Sequence, residues 1–321
     1  MTDLVTPTSE KTDRTRRPAP ARASTGRPRH SRAARRNLAA AGAFLTPFVL
    51  LLLVFQYVPL FVLARDSVYQ YSLFNPDARV FVGFDNFVTA FTDPTTVQSM
   101  LVTLIFVVGM VVVVVPTSFL LAVYLNGRLP ARALIRTMIF LPVVTSSVVV
   151  ATLFLFMLAQ QGLVNGALQS IGLGPIPFLT DPAFALPAII LMSVWQQVGL
   201  AAVLFLGGLQ GIPEEVQEAS VVDGAGPVRR LVSITIPLVS RTTLLVVIVM
   251  TVFALQAFAP AMLMTGGGPV GSTNLIIFHI YRTAFNLQQP GLASAISIIV
   301  LLFALAISLI QMRLLRTRWN Y

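Results

Sequence analysis

The stretch QSMLVTLIFVVGMVVVVVPTSFLLAVYL, residues 98–125, contains no acidic or basic side chain. As an α-helix rising ~1.5 Å per residue, it is longer than a hydrocarbon core of ~30 Å. It is apolar on every side, so it has no face that would prefer water. Working outward, five more runs have the same character, at 39–64, 137–160, 184–207, 243–263 and 292–312. Six such segments predict an all-α, polytopic membrane protein with six transmembrane helices. The composition agrees: 56% of the 321 residues are hydrophobic and 11% charged. A soluble domain is about 25% charged.

The charges between the runs set the topology. The first 38 residues carry ten basic side chains, from Lys11 to Arg36, against Asp3, Glu10 and Asp13. They read as a disordered basic cytoplasmic tail. Six spans return the chain to the tail side. There stand Arg128, Arg132 and Arg136, then Arg229, Arg230 and Arg241, then Arg313, Arg316 and Arg318. The other side holds only Arg65, Arg79 and Arg282. The positive-inside rule therefore predicts a multi-pass protein of the cell membrane with both termini cytoplasmic.

Several functions are excluded by what is missing. With no cysteine there is no thiolate chemistry, and His30 and His279 are too few for a histidine metal cluster. No catalytic constellation is present, so the chain reads as a non-enzyme with no metal site. No run contains a carboxylate, and ion-driven pumps use an intramembrane acid. The only lysine, Lys11, lies in the tail, so no phosphate-binding loop is available for ATP. A transporter of this kind must draw its energy from another chain. The alternatives are a stand-alone secondary carrier or channel for a small polar solute, or a membrane-embedded enzyme.

The cytoplasmic segment 208–241 is the most informative loop. Pro213 suits a helix start, and Glu214 and Glu215 suit its positive end. Gly224 suits a left-handed stop, and Pro227 opens a second short helix. A helix–Gly–helix elbow outside the bilayer is predicted. Its signature is Glu218-Ala219-Ser220, three residues, Gly224, nine residues, then Ile234-x-Ile236-Pro237.

That signature resembles the EAA motif of permease subunits of binding-protein-dependent ABC importers. Ser220 stands where the pattern has a second Ala, and Ile236 where it has Leu. Further stretches resemble the carbohydrate permeases of the maltose/glycerol-phosphate type. They are Phe81-Val82-Gly83-Phe84-Asp85-Asn86-Phe87, Leu141-Pro142, Gly162 with Asn165, Thr265-Gly266-Gly267-Gly268-Pro269, Ile280-Tyr281, Ala284-Phe285 and Gly291. The Gly-Gly-Pro stretch resembles the upstream, maltose-F-like or glycerol-phosphate-A-like member of a permease pair. The resemblance spans about residues 40–318 and implies a type I ABC importer permease fold, with 39–318 as the six-helix permease domain.

It also implies partners: a second permease subunit, two ATPase subunits and an extracytoplasmic solute-binding protein or lipoprotein. The substrate is a sugar or sugar-like solute, the setting is the lipid bilayer, and no nucleic acid is involved. ATP and magnesium belong to the ATPase chains, leaving this chain without a cofactor. By resemblance, the elbow docks on an ATPase through Glu214, Glu215, Glu218, Ala219, Ser220, Asp223 and Gly224.

A solute path needs polar groups inside the bundle. Gln196 and Gln197, with Leu200 one turn on, and Phe253 with Gln256 are the candidates. Matching the family pattern places all five on its substrate-facing stretches. A span glutamine serves equally well as an interhelical hydrogen-bond partner. Thr145, Ser146 and Ser147 are weaker candidates.

Overall fold

A computed structural model describes residues 32–127 and 132–314. The tail before Arg32, residues 128–131 and the end from Leu315 lie outside the described residues. The described residues fall into two compact units, one through Val58 and one from Pro59. In the first, α1 (Arg32–Leu52) runs into a π-type turn at Leu53–Tyr57. It begins inside the stretch read as a tail. Its apolar side chains, such as Phe44, Phe48 and Phe55, are exposed, as suits a helix whose solvent is lipid.

The second unit opens with α2 (Val58–Asp66) and a hairpin of β1 (Tyr69–Ser72) and β2 (Asn75–Phe81). Next come α3 (Asp85–Thr92), α4 (Pro94–Asn126), α5 (Arg132–Val144), α6 (Ser147–Leu158) and α7 (Leu163–Ser170). The chain continues with α8 (Pro182–Gln210), α9 (Glu214–Val222), α10 (Pro227–Arg230), α11 (Ile236–Leu238) and α12 (Ser240–Leu255). It closes with α13 (Ile276–Tyr281) and α14 (Pro290–Leu314). Among the described residues five helices are long and apolar enough to cross a membrane, and counting the pair Pro227–Leu238 with Ser240–Leu255, bent by 68°, as one span gives a sixth.

The expected spans differ from this in three places. Among the described residues there is one sheet, an antiparallel hairpin registered Tyr69↔Phe81 and Ser72↔Asn75. No apolar run announces it, because it lies between the spans and mixes polar with aromatic residues. The run 137–160 is two helices, broken at Thr145-Ser146, where Ser146 leaves the helical region (φ −56°, ψ 133°). The run 243–263 stops as α-helix at Leu255, and a π-type turn at Ala261–Thr265 follows. Apolarity reports the solvent of a segment, not the continuity of its helix.

The core lies where α4, α8 and α12 meet. Proline at the first helical position and an aspartate cap start both long helices. Asp93 accepts from the Thr96 N–H (2.8 Å), and Asp181 from the Ala183 N–H (2.8 Å). Phe106, Met110 and Val114 of α4 are buried, as are Ile189, Met192 and Phe205 of α8 and Val246 and Met250 of α12. Phe119 meets Phe205 edge-on at 5.5 Å. α8 is the central helix, with 56% of its apolar window buried against 28% for α4.

Candidate functional site: the cytoplasmic elbow and the interior of the bundle

The elbow forms as its residues require. α9 starts after Pro213 and carries Glu214 and Glu215 in its first turn, where the helix dipole favours negative charge. Gly224 takes φ +70°. Its N–H donates to the Val221 carbonyl (3.0 Å), and the Ala225 N–H reaches back to the Ser220 carbonyl (3.0 Å). This pair of bonds is a Schellman stop, which only a residue at ease with positive φ can close.

Of the seven elbow residues, Ser220 is buried and donates to the Gln217 carbonyl (2.6 Å). Glu214, Glu215, Glu218, Ala219, Asp223 and Gly224 are exposed and share one short element. Beside them Val221, Val222 and Val228 are bare, Val222 to 87%. Isolated exposed apolar side chains are ordinary; here three stand together on one elbow among acids. A cavity of about 260 Å³ undercuts the elbow, lined by Asn126 of α4, Leu209, Ile212, Gln217, Ser220 and Arg230.

The five interior candidates part company. Gln196 is buried, and both ends of its carboxamide are engaged. Its Nε2 donates to the Thr145 carbonyl (3.1 Å), and its Oε1 accepts from Ser147 Oγ (3.3 Å). Gln197 and Leu200 are half-buried, Leu200 packing against the core. Phe253 and Gln256 are exposed near the end of α12. Gln256 caps that helix through its backbone. Phe258, just beyond, leads an aromatic series: its ring lies 5.3 Å from Tyr281, which lies 5.1 Å from Phe285.

A largely buried polar network, unforeseen from the sequence, clamps the segment 265–283 onto α4. Thr96 Oγ1 contacts His279 Nε2 (3.0 Å), and Asn274 Nδ2 donates to Ser99 Oγ (2.7 Å). The Ile276 N–H donates to Thr103 Oγ1 (2.8 Å), and Gln98 Nε2 donates to the Val270 carbonyl (3.1 Å). The legible signal was the hydroxyl stripe Thr96, Ser99, Thr103, spaced to share one helix face. Burial depresses the His279 pKa; Asp93 opposes that and Arg282 adds to it. Burial alone would raise the Asp93 carboxyl, but two bonds from Thr96 and the nearby His279 hold it below the usual carboxylate range. Asn165 does a similar task elsewhere, donating to the Ala159 and Ile176 carbonyls and accepting from the Ile176 N–H.

Residues 114–320 match the family described as the inner membrane component of binding-protein-dependent transport systems. The chain belongs to this family. As a permease of that family it is a multi-pass membrane protein, and the matched region contains the whole elbow. The chain is 36% identical to the probable ABC transporter permease protein YurN of Bacillus subtilis (strain 168), over 85% of this chain and 95% of the relative. It is 32% identical to the sn-glycerol-3-phosphate transport system permease protein UgpA of Yersinia pestis biovar Antiqua (strain Antiqua), over 75% and 82%. Among solved structures, it superposes on a bacterial alginate ABC transporter in complex with alginate pentasaccharide-bound periplasmic protein. There the TM-score is 0.76 at 26% identity, covering 88% of this chain and 95% of that one. The fold of this permease is therefore that of an ABC importer's membrane subunit.

Proposed function

We propose that this permease forms one half of the membrane channel of an ATP-driven importer for a sugar or sugar-like solute. A second permease subunit supplies the other half. Two ATPase chains bind the nucleotide and magnesium and act on the bundle through the elbow, Glu214 to Gly224. An extracytoplasmic binding protein delivers the solute to the opposite face. Both termini lie in the cytoplasm, where the basic loops cluster.

The observation that carries this reading is the elbow itself: a short, capped, exposed helix at the foot of α8, the most buried helix of the bundle. Movement imposed there is imposed on the core. The partner set is supported by the solved importer that holds a periplasmic protein, and the solute class by that protein's bound oligosaccharide. Gln197, Leu200, Phe253 and Gln256 are the proposed solute contacts, amides for hydroxyl groups and a ring for the apolar face of a sugar.

Co-expression with the ATPase tests the reading. The wild-type chain is expected to co-purify with it, and Gly224→Asp and Glu218→Lys to weaken that complex. If both variants assemble and transport like the wild type, the elbow is not the docking element.

A further inference from the structure

The break between α5 and α6 lies within an apolar span, where a stranded backbone carbonyl has no water to bond. In an unbroken helix the Thr145 carbonyl would accept from the N–H four residues on. Here it accepts from Gln196 Nε2 instead, while Ser147, just past the break, donates to Gln196 Oε1. One carboxamide therefore straddles the break, bonded to the last residue before it and to a residue after it. Gln196 offers a donor and an acceptor on one planar carboxamide, so it meets both sides of the break at once. An apolar side chain of the same length would take this partner from the Thr145 carbonyl, which has no helical N–H to replace it.

A second contact fixes α8 to the same place. Gly199, one turn along, lies on the backbone of α5. A Cβ there would strike the Ile139 carbonyl and come within 3.2 Å of Val143 Cγ2. α8 therefore touches α5 through bare backbone and grips the break through Gln196. From Gln196 it runs as unbroken helix to Gln210, ~21 Å at 1.5 Å per residue, and ends at the elbow.

We infer that Gln196 is a positioning residue for translocation: it ties the α5–α6 break to α8, so that the angle at Thr145-Ser146 follows the elbow. The inference rests on the reading that ATPase motion enters at the elbow. Gln196 then acts on the solute path through the break and does not itself contact solute.

The chain has no cysteine, so a labelling pair can be placed cleanly. Met138 and Phe156 are exposed on either side of the break. Met138→Cys and Phe156→Cys would carry spin labels ~27 Å apart along a straight helix. The complete importer in lipid nanodiscs, with any partner cysteines replaced, is measured by double electron–electron resonance without nucleotide and after trapping with ATP and vanadate. In the wild type the interspin distance is expected to shift on trapping. In Gln196→Met the shift is expected to be lost, and likewise in Gly199→Ala, which moves α8 off α5 without altering the carboxamide. Ser147→Ala, which removes one of the two bonds, should keep a shift but broaden the distribution. Should Gln196→Met fail to assemble, Ser147→Ala decides. An undiminished shift in Gln196→Met, an unaltered distribution in Ser147→Ala, or no shift in the wild type would each overturn the inference. Loss of ATPase binding in Gly224→Asp reports separately on the elbow, so the failure of one reading is distinguishable from failure of the other.

Discussion

Gly224 and Gly199 are two positions where a side chain would be costly, for different reasons. At Gly224 the cost is conformational: φ is +70° and the space around it is open. Gly224→Ala should cost ~1–2 kcal/mol at the end of α9, the left-handed penalty for an L-residue. Because alanine adds no charge, weaker co-purification with the ATPase would report the Schellman stop alone. At Gly199 the cost is steric, since the obstacle is the backbone of Ile139. Gly199→Ala should destabilise by ~1–3 kcal/mol, as overpacking does. Gly207 on the same helix has nothing within 4 Å of a built Cβ. Gly207→Ala should therefore be neutral or stabilising, and thermal unfolding of the two variants side by side would show the contrast.

At the scale of elements, the segment 265–283 is held to α4 by hydrogen bonds as well as by the buried Leu275, Ile276 and Phe278. Thr96, Ser99 and Thr103 present a polar edge in an otherwise apolar helix, and Asn274 and His279 meet it. Asp93, Arg282, Thr96 and Asn274 are the charged and polar groups facing His279. Its folded pKa is lowered from 6.5, so the unfolded or detached segment binds the proton more readily. Stability from this site is full above pH 6.5 and is lost as pH falls through the lowered folded value. Hydrogen exchange across 265–283 should quicken on acidification through that window in the wild type. In His279→Gln the acid-dependent increment should vanish; an equal increment in the variant would remove His279 from the account. Tyr71, outside the spans, is raised to about 12, by burial first and by its bond to Asp66 second, so it stays protonated throughout this range.

For the whole molecule, the decisive absence is of an energy source. The sole lysine, Lys11, lies in the tail, and no Gly-rich phosphate loop accompanies it. Liposomes holding this chain alone should neither hydrolyse ATP nor take up radiolabelled sugars, whereas the complete importer should do both; uptake by the chain alone would favour a secondary carrier. The membrane class, the set of apolar spans and the helix–Gly–helix elbow were legible in sequence. Each is written in local chemistry: hydropathy over about 20 residues and a glycine at a helix stop. Thr145-Ser146 carried no comparable mark, because a broken span is as apolar as a whole one. Nor did Gln196 show whether it faced solute or a carbonyl, since its carboxamide suits either. Residues near 145 and 196 meet only when α8 packs on α5, and His279 finds Thr96 only across 183 positions of chain. Hydropathy and charge along the chain thus settled which solvent each segment occupies. Which polar group answers which inside the bundle was decided by helix packing, because a hydrogen bond depends on position in space and not on order in sequence.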